Sequence, residues 1–248
     1  MSQIDKLTVT GHLQELRQRL VKSVIVVIIT TSISFFFAKQ IFDILIRPAG
    51  DINLIFVEMT EMFGTYMKVA LASGIALAMP FLVYQLVMFV SPALTRQEKR
   101  YVYLMLPFVA FMFLGGLAFG YFILVPPATN FLISFGSDIA EPQIRIGNYI
   151  SIVLRLLLSI GAVFETPVII LFLTKIGVIT PKWLANKRKY AFVGAFILAA
   201  IITPTFDPVN QSLVAAPLII LYETSIWISK LVWRGKPSVV HPDLTPPA

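Results

Sequence analysis

Glu165 is the residue whose position is chemically most informative, because it lies inside a long apolar segment, residues 149–174. About nine residues separate it from the end of that segment, so it lies near the middle of a span of roughly 20 residues. A carboxylate at that depth is costly to bury unless it is protonated, paired or hydrated. Arg155 lies ten residues earlier, on a different face, and is not an intrahelical partner. Glu165 is therefore either a group that lines a hydrated groove or contacts another helix, or a protonated packing residue.

The rest of the chain offers little for covalent chemistry. There are no cysteines, and the two histidines, His12 and His241, lie in the terminal segments. No HExxH, GxSxG or Walker sequence occurs, and no apolar segment carries a serine–histidine pair, two aspartates or a zinc site. We therefore expect no enzyme activity, no metal and no cofactor.

Two further glutamates, Glu15 and Glu98, lie among basic residues outside the apolar segments. Around Glu15, the spacing of Leu13, Leu16 and Leu20 places them on one face, which predicts an amphipathic helix that runs into the first span. Taken alone, each glutamate is most simply a solvated or salt-bridged surface residue.

The composition defines the elements that must position these carboxylates. Of the 248 residues, 57% are hydrophobic and only 13% are charged, whereas soluble domains contain about 25% charged residues. We predict an all-α, polytopic membrane protein with six transmembrane helices. The predicted spans cover residues 20–38, 66–90, 102–125, 149–174, 190–202 and 212–228. The last two spans are short, about 20–25 Å at the rise of an α-helix.

Positive charge is distributed unevenly between the two sides of the predicted membrane. With the N-terminus inside, the inside segments carry 15 lysines and arginines, and the outside segments carry three, Lys39, Arg47 and Arg145. Lys68 and Arg155 fall in the outer ends of spans, where their side chains can extend outward. This asymmetry predicts that both termini lie on the cytoplasmic side.

The segments outside the spans, and one glycine pair, give four further expectations. Residues 51–63 have apolar residues at helical spacing, which predicts a short amphipathic helix on the outer surface. Residues 1–233 form a single transmembrane domain, and residues 234–248, with four prolines and no apolar period, form a disordered cytoplasmic tail. Gly116 and Gly120 form a GxxxG that permits close helix approach, most simply within the molecule.

A set of short stretches occurs in order along almost the whole chain. They are His12-Leu13, Glu15-Leu16-Arg17, Arg19-Leu20, Tyr84-Gln85, Phe89-Val90-Ser91-Pro92-Ala93-Leu94, Glu98, Phe164-Glu165-Thr166-Pro167, Lys187-Arg188-Lys189-Tyr190, Val193-Gly194-Ala195-Phe196, Thr203-Pro204, Asp207-Pro208 and Gln211. Together these stretches resemble the TatC family, the large membrane subunit of the twin-arginine protein translocase. No single stretch is decisive, but their ordered set is specific.

The resemblance implies a receptor for signal peptides that carry consecutive arginines. It implies a location in the cytoplasmic (inner) membrane, where the small single-span partners TatA and TatB join the receptor. The assembly would move folded proteins outward at the expense of the proton gradient. The receptor would also associate with itself, and no nucleic acid would take part.

The resemblance also implies roles for individual residues. Signal-peptide binding would fall to Glu15, Glu98, Arg17, Phe89 and Pro92, with the two glutamates holding the twin arginines. An intramembrane groove and partner contacts would involve Glu165, Gln85, Pro48, Asp207 and Gln211. Elementary chemistry agrees on one point: a guanidinium is a rigid fork that suits carboxylates.

Two other functions remain open from the sequence. One is a proton-coupled transporter of small solutes, with Glu165 as the proton relay; it requires a chain of polar groups through the membrane, and only isolated ones occur. The other is a structural scaffold that binds helices without transport.

Overall fold

The computed structural model describes residues 9–50, 54–90, 96–134, 143–203 and 207–233. They form a helical bundle whose longer helices are apolar. The helices are α1 Val9–Phe36, α2 Ala38–Ile46, α3 Glu61–Val90, α4 Arg96–Phe119, α5 Val125–Ser134, α6 Ile146–Phe164, α7 Thr166–Lys175, α8 Pro181–Asn186, α9 Arg188–Ile202 and α10 Pro208–Val232. The prediction of an all-α polytopic membrane protein is confirmed.

Within the described ranges, five helical segments are long and apolar enough to cross a membrane. They are Leu13–Phe36, Glu61–Phe89, Tyr103–Ser134, Ile146–Lys175 and Pro208–Val232. The remaining candidate, α9, has 15 residues, or about 22 Å at 1.5 Å per residue, which is shorter than the hydrocarbon core. The count of six spans therefore stays a prediction. The single domain 1–233 and the orientation of the termini also stay predictions, and the tail 234–248 lies outside the described residues.

The hydropathy pattern predicted a short last helix, but the last helix of the structure is long. α10 has 25 residues and extends beyond the predicted span at both ends. It begins early because the Asp207 carboxylate accepts a hydrogen bond from the Asn210 backbone N–H at 2.9 Å. Pro208 at the first helical position has the backbone φ that a helix needs. Capping thus extends the helix into polar residues that an apolar-segment criterion leaves out.

The predicted amphipathic helix at 51–63 is wrong for its described part. Leu54 and Ile55 form a short strand, β1, that pairs in parallel with β2, Ile144–Arg145, and α3 begins only at Glu61. The Glu61 side chain accepts hydrogen bonds from the backbone N–H of Val57 at 3.0 Å and of Gly147 at 3.2 Å. The segment is extended because β2 and this carboxylate satisfy its backbone donors.

The N-terminal helix α1 packs mainly against α3. At their crossing the two backbones nearly touch, since a Cβ added at Gly74 would lie 2.5 Å from the Thr31 Cα. The Thr30 hydroxyl donates to the Gly74 carbonyl oxygen at 2.8 Å. Most of the large apolar side chains of α1 are exposed. In a membrane protein, an exposed apolar face of this kind contacts lipid.

The centre of the bundle is α6, whose Ile150, Val153 and Ile160 are fully buried. α4 crosses α6 closely: a Cβ at Gly116 would lie 2.9 Å from the Gly161 Cα, and one at Gly120 would lie 3.0 Å from a Leu157 methyl carbon. The GxxxG formed by Gly116 of α4 and Gly120, the first residue of the π-helical turn Gly120–Leu124, is therefore used for packing within the molecule, as the sequence indicated.

Candidate functional site

A polar cluster joins α1 and α3 at the end of the bundle where α1 begins. The Arg19 guanidinium donates to Glu15 Oε1 from two nitrogens, at 2.6 and 2.9 Å, and to Gln85 Oε1 at 3.1 Å. Helical spacing of four residues brings Glu15 and Arg19 together on one face of α1. Gln85 is only 6% exposed, so the hydrogen bond from Arg19 satisfies a buried amide oxygen.

A small apolar pocket lies between α3, α4 and α7, and its walls include Tyr84, Val87, Val109 and Val168. Its volume is about 10 Å³, roughly the room that one water molecule needs, and the three valines are themselves buried. The Tyr84 and Tyr103 hydroxyls are 3.2 Å apart at one side of it. Tyr84 of the pocket directly precedes Gln85 of the polar cluster on α3, so the two features are neighbours in the fold.

The other residues of the predicted signal-peptide site are described only in part. Arg17 is exposed on α1, and Phe89 is half-buried near the end of α3. Glu98 lies in the first turn of α4, at the same end of the bundle, but its side chain lies outside the described residues. Pro92 also lies outside them.

Glu165 occupies the break between α6 and α7. Its backbone N–H donates to the Ala162 carbonyl at 3.2 Å, and its carbonyl accepts from Ile169 at 3.0 Å. The side chain is 1% exposed, and neither carboxyl oxygen has a hydrogen-bonding partner among the described residues. In this conformation the carboxyl group therefore lies in the interior rather than on an open groove wall. Such a group is expensive to bury and is a candidate for function.

The other residues that were predicted to form a groove or partner contacts with Glu165 do not lie around it in the structure. Gln85 contacts Arg19 instead. Pro48 lies in a 3₁₀ turn, Arg47–Ala49, after α2, and Asp207 caps α10; both lie at the opposite end from Glu15. Their roles in an intramembrane groove or in partner contacts stay a prediction; in this structure Gln85, Pro48 and Asp207 do not lie around Glu165.

Gln211 lies on the first part of α10, near Asp207. Its amide donates to the Phe196 carbonyl of α9 at 3.1 Å. This contact ties α10 to α9 in the membrane, so Gln211 has a packing role that its position in the sequence did not indicate.

Sequence reasoning did not assign a role in binding to Arg19 or Tyr84. The spacing of Arg19 from Glu15 was a usable signal for their pair. The contact between Arg19 and Gln85 joins residues 66 positions apart, and one sequence contains no signal for it.

The fold defines a multi-pass helical membrane protein with a polar cluster between α1 and α3. The profile of the family described as Sec-independent protein translocase protein (TatC) matches residues 11–217. The chain belongs to the TatC family. This family is a component of a protein translocase rather than a known enzyme family.

Individual relatives agree over nearly the full length. TatC of Carboxydothermus hydrogenoformans is 40% identical over 228 residues, which cover 91% of this chain and 94% of the relative. TatC of Aquifex aeolicus is 42% identical over 237 residues, covering 93% and 98%. A crystal structure of the twin-arginine translocase receptor TatC is 41% identical, covers 90% of this chain and 100% of that one, and superposes with a TM-score of 0.76.

Proposed function

We propose that this chain is the receptor of a membrane translocase, which recognises twin-arginine signal peptides and exports folded proteins at the expense of the proton gradient. The observation that carries the proposal is the polar cluster of Glu15, Arg19 and Gln85, close to the apolar pocket between α3, α4 and α7. A signal peptide has a matching order, with arginines next to an apolar segment. Family membership supports the same function.

Glu15 is suited to an incoming guanidinium even though it is already paired. Both hydrogen bonds from Arg19 go to Oε1, and Oε2 has no hydrogen-bond partner among the described residues. Arg19 thus holds the carboxylate in one orientation and leaves its second oxygen for a ligand. A pair that is already oriented loses less side-chain entropy on binding. Glu98, with Arg17, Phe89 and Pro92 nearby in the proposed site, would take the second arginine.

To receive the hydrophobic part of the signal peptide, the apolar pocket between α3, α4 and α7 would have to open, since its volume is only about 10 Å³. Its far wall includes Val168, one turn after Glu165, so a segment lying in it would approach the buried carboxyl group. We propose that Glu165 gains a hydrogen-bonding partner when a signal or partner helix binds. Gln211, Asp207 and Pro48 would instead act at the interface with partner helices and in the outer loops.

The proposed assembly has a definite orientation and composition. Both termini would lie in the cytoplasm and the protein in the inner membrane, as the charge asymmetry favours. The single-span subunits TatA and TatB would be its partners, and copies of the chain would associate in the complex. A proton-coupled small-solute transporter is less well supported, because the relatives are translocase proteins.

The direct test is a double-mutant cycle between the protein and a synthetic signal peptide. Binding to the purified full-length protein is titrated for Glu98→Ala, for a peptide whose two arginines are lysines, and for both changes together. Each single change should weaken binding about tenfold, since a hydrogen bond to a charged group contributes about 1.5–3 kcal/mol. The double change should cost much less than the sum, because the two groups contact each other. Glu15→Ala is tested in the same way.

Glu58→Ala is the matched control, because Glu58 is an exposed carboxylate at the opposite end of the bundle. It should leave peptide affinity unchanged. Strictly additive losses for both glutamates would contradict their contact with the arginines. At the level of the whole function, a deletion strain that still exports a folded twin-arginine reporter would reject the receptor proposal.

A further inference from the structure

A second cavity lies between α9 and α10, at the end of the bundle where α9 begins and α10 ends. Its volume is about 270 Å³, and its walls include Arg188, Lys189, Phe192, Tyr222 and Glu223. A water molecule takes up about 30 Å³ of liquid, so the cavity has room for a group much larger than water. None of the residues assigned to signal-peptide binding lines it.

The charged groups of the cavity are held in place. The Arg188 guanidinium makes a two-pronged contact with Glu223, with Nε 2.8 Å from Oε1 and Nη2 2.8 Å from Oε2. The other N–H groups of the guanidinium point away from that carboxylate, because its donors form a planar fork. Lys187 and Lys189 each lie about 5 Å from the Tyr190 ring. Two cations, Arg188 and Lys189, line the cavity against one carboxylate, Glu223, so its mouth is basic.

Charged and apolar groups are arranged by depth. On α9, Phe192 lies one helical turn beyond Arg188, and its side chain is about half exposed. On α10, Ile219 likewise lies one turn inside Glu223. One turn is about 5.4 Å. The cavity is therefore basic at its mouth and apolar directly beneath, which is the arrangement that a lipid headgroup and the first part of its acyl chains require.

We infer that this cavity binds the phosphate headgroup of an anionic phospholipid. Arg188 and Lys189 contact the phosphate, and Glu223 keeps the guanidinium directed towards it. Phe192 and Ile219 contact the acyl chains. Charge complementarity identifies the ligand, since basic pockets between helices at the membrane surface are suited to anionic headgroups.

The test is native mass spectrometry of the purified full-length protein with lipids that share their acyl chains. Dioleoyl-phosphatidylglycerol should form adducts at lower concentration than dioleoyl-phosphatidylcholine. Each lost positive charge should weaken binding of the anionic lipid about fivefold, both in Lys189→Gln and in Arg188→Gln. Lys189→Gln leaves the contact between Arg188 and Glu223 intact, so it separates loss of binding from loss of folding.

Lys230→Gln is the matched control. Lys230 lies near the same end of α10, over the Trp227 ring at 5.5 Å, and does not line the cavity. An equal loss in this variant would mean diffuse attraction and would overturn the inference. So would equal binding of the two lipids, or displacement of the lipid by inorganic phosphate at similar concentration, which would identify a site for free phosphate. Signal-peptide binding is measured separately, so failure here leaves the receptor proposal intact.

Discussion

Replacing Gly74 by alanine should separate α1 from α3 and thereby disturb the receptor site. The new Cβ would lie 2.5 Å from the Thr31 Cα and 2.6 Å from the Thr31 backbone nitrogen. Unstrained carbon contacts are about 3.5–4.0 Å, so α1 must move outward by about 1 Å. Because both Glu15 and Arg19 lie on α1, this movement would draw Arg19 away from Gln85.

The expected magnitude follows from three contributions. Overpacking costs about 1–3 kcal/mol, whereas exchanging glycine for alanine in a helix stabilises by about 1 kcal/mol. Loss of the hydrogen bond from Thr30 to the Gly74 carbonyl costs about 0.6 kcal/mol in a membrane protein. The free energy of unfolding should therefore fall by about 0.6–2.6 kcal/mol.

Two measurements check this expectation. Unfolding in mixed detergent micelles gives the stability, and a short bismaleimide reagent reports the distance between cysteines placed at Arg19 and Gln85. The chain has no native cysteine, so only the introduced pair reacts. Gly64→Ala is the control on the same helix, because a Cβ there meets nothing within 4 Å. If the two alanine variants unfold and crosslink equally, the close approach at Gly74 does not hold α1 in place.

Three further outcomes are expected. Reporters fused after Gly235 and within 182–189 should be cytoplasmic and one at Ala140 external, and an external C-terminal fusion would contradict the six-span arrangement. Asp207→Ala should lower stability by about 1 kcal/mol through loss of the helix cap, and Asp207→Asn should restore most of it; equal losses would assign the effect to another cause. Glu165→Leu should weaken copurification of partner subunits while Glu165→Gln retains it, and a leucine variant with full assembly and export would leave Glu165 a packing role.

The long apolar helices and the place of Glu165 inside an apolar helical stretch were predictable because both depend on local sequence. Runs of apolar residues specify membrane helices almost independently of their neighbours. The start of α10 could also have been predicted, since Asp207 followed by Pro208 is a recognised helix-start signal. The criterion of a continuous apolar segment did not use this signal.

The contacts that build the site were harder to predict because they join distant parts of the chain. The pairing of β1 with β2 involves two residues on each strand, which is too short for an alternating pattern. The helix α2 was missed because Lys39 and Asp43 made the segment resemble an outer loop, although its buried Phe42 and Leu45 are three residues apart. The burial of Gln85 depends on the packing of α1 on α3. Neither the sequence of α1 nor that of α3 specifies where the two helices meet.

The short helix α9 constrains how the chain is inserted during biosynthesis. A segment of 15 residues is too short to cross about 30 Å of hydrocarbon alone, and a translocon would not release it stably into lipid by itself. α10 is long enough, and its Gln211 contacts the Phe196 carbonyl of α9. In the predicted six-span arrangement we therefore expect the two helices to enter the bilayer together as a hairpin, with α9 integrated only after the ribosome has synthesised α10.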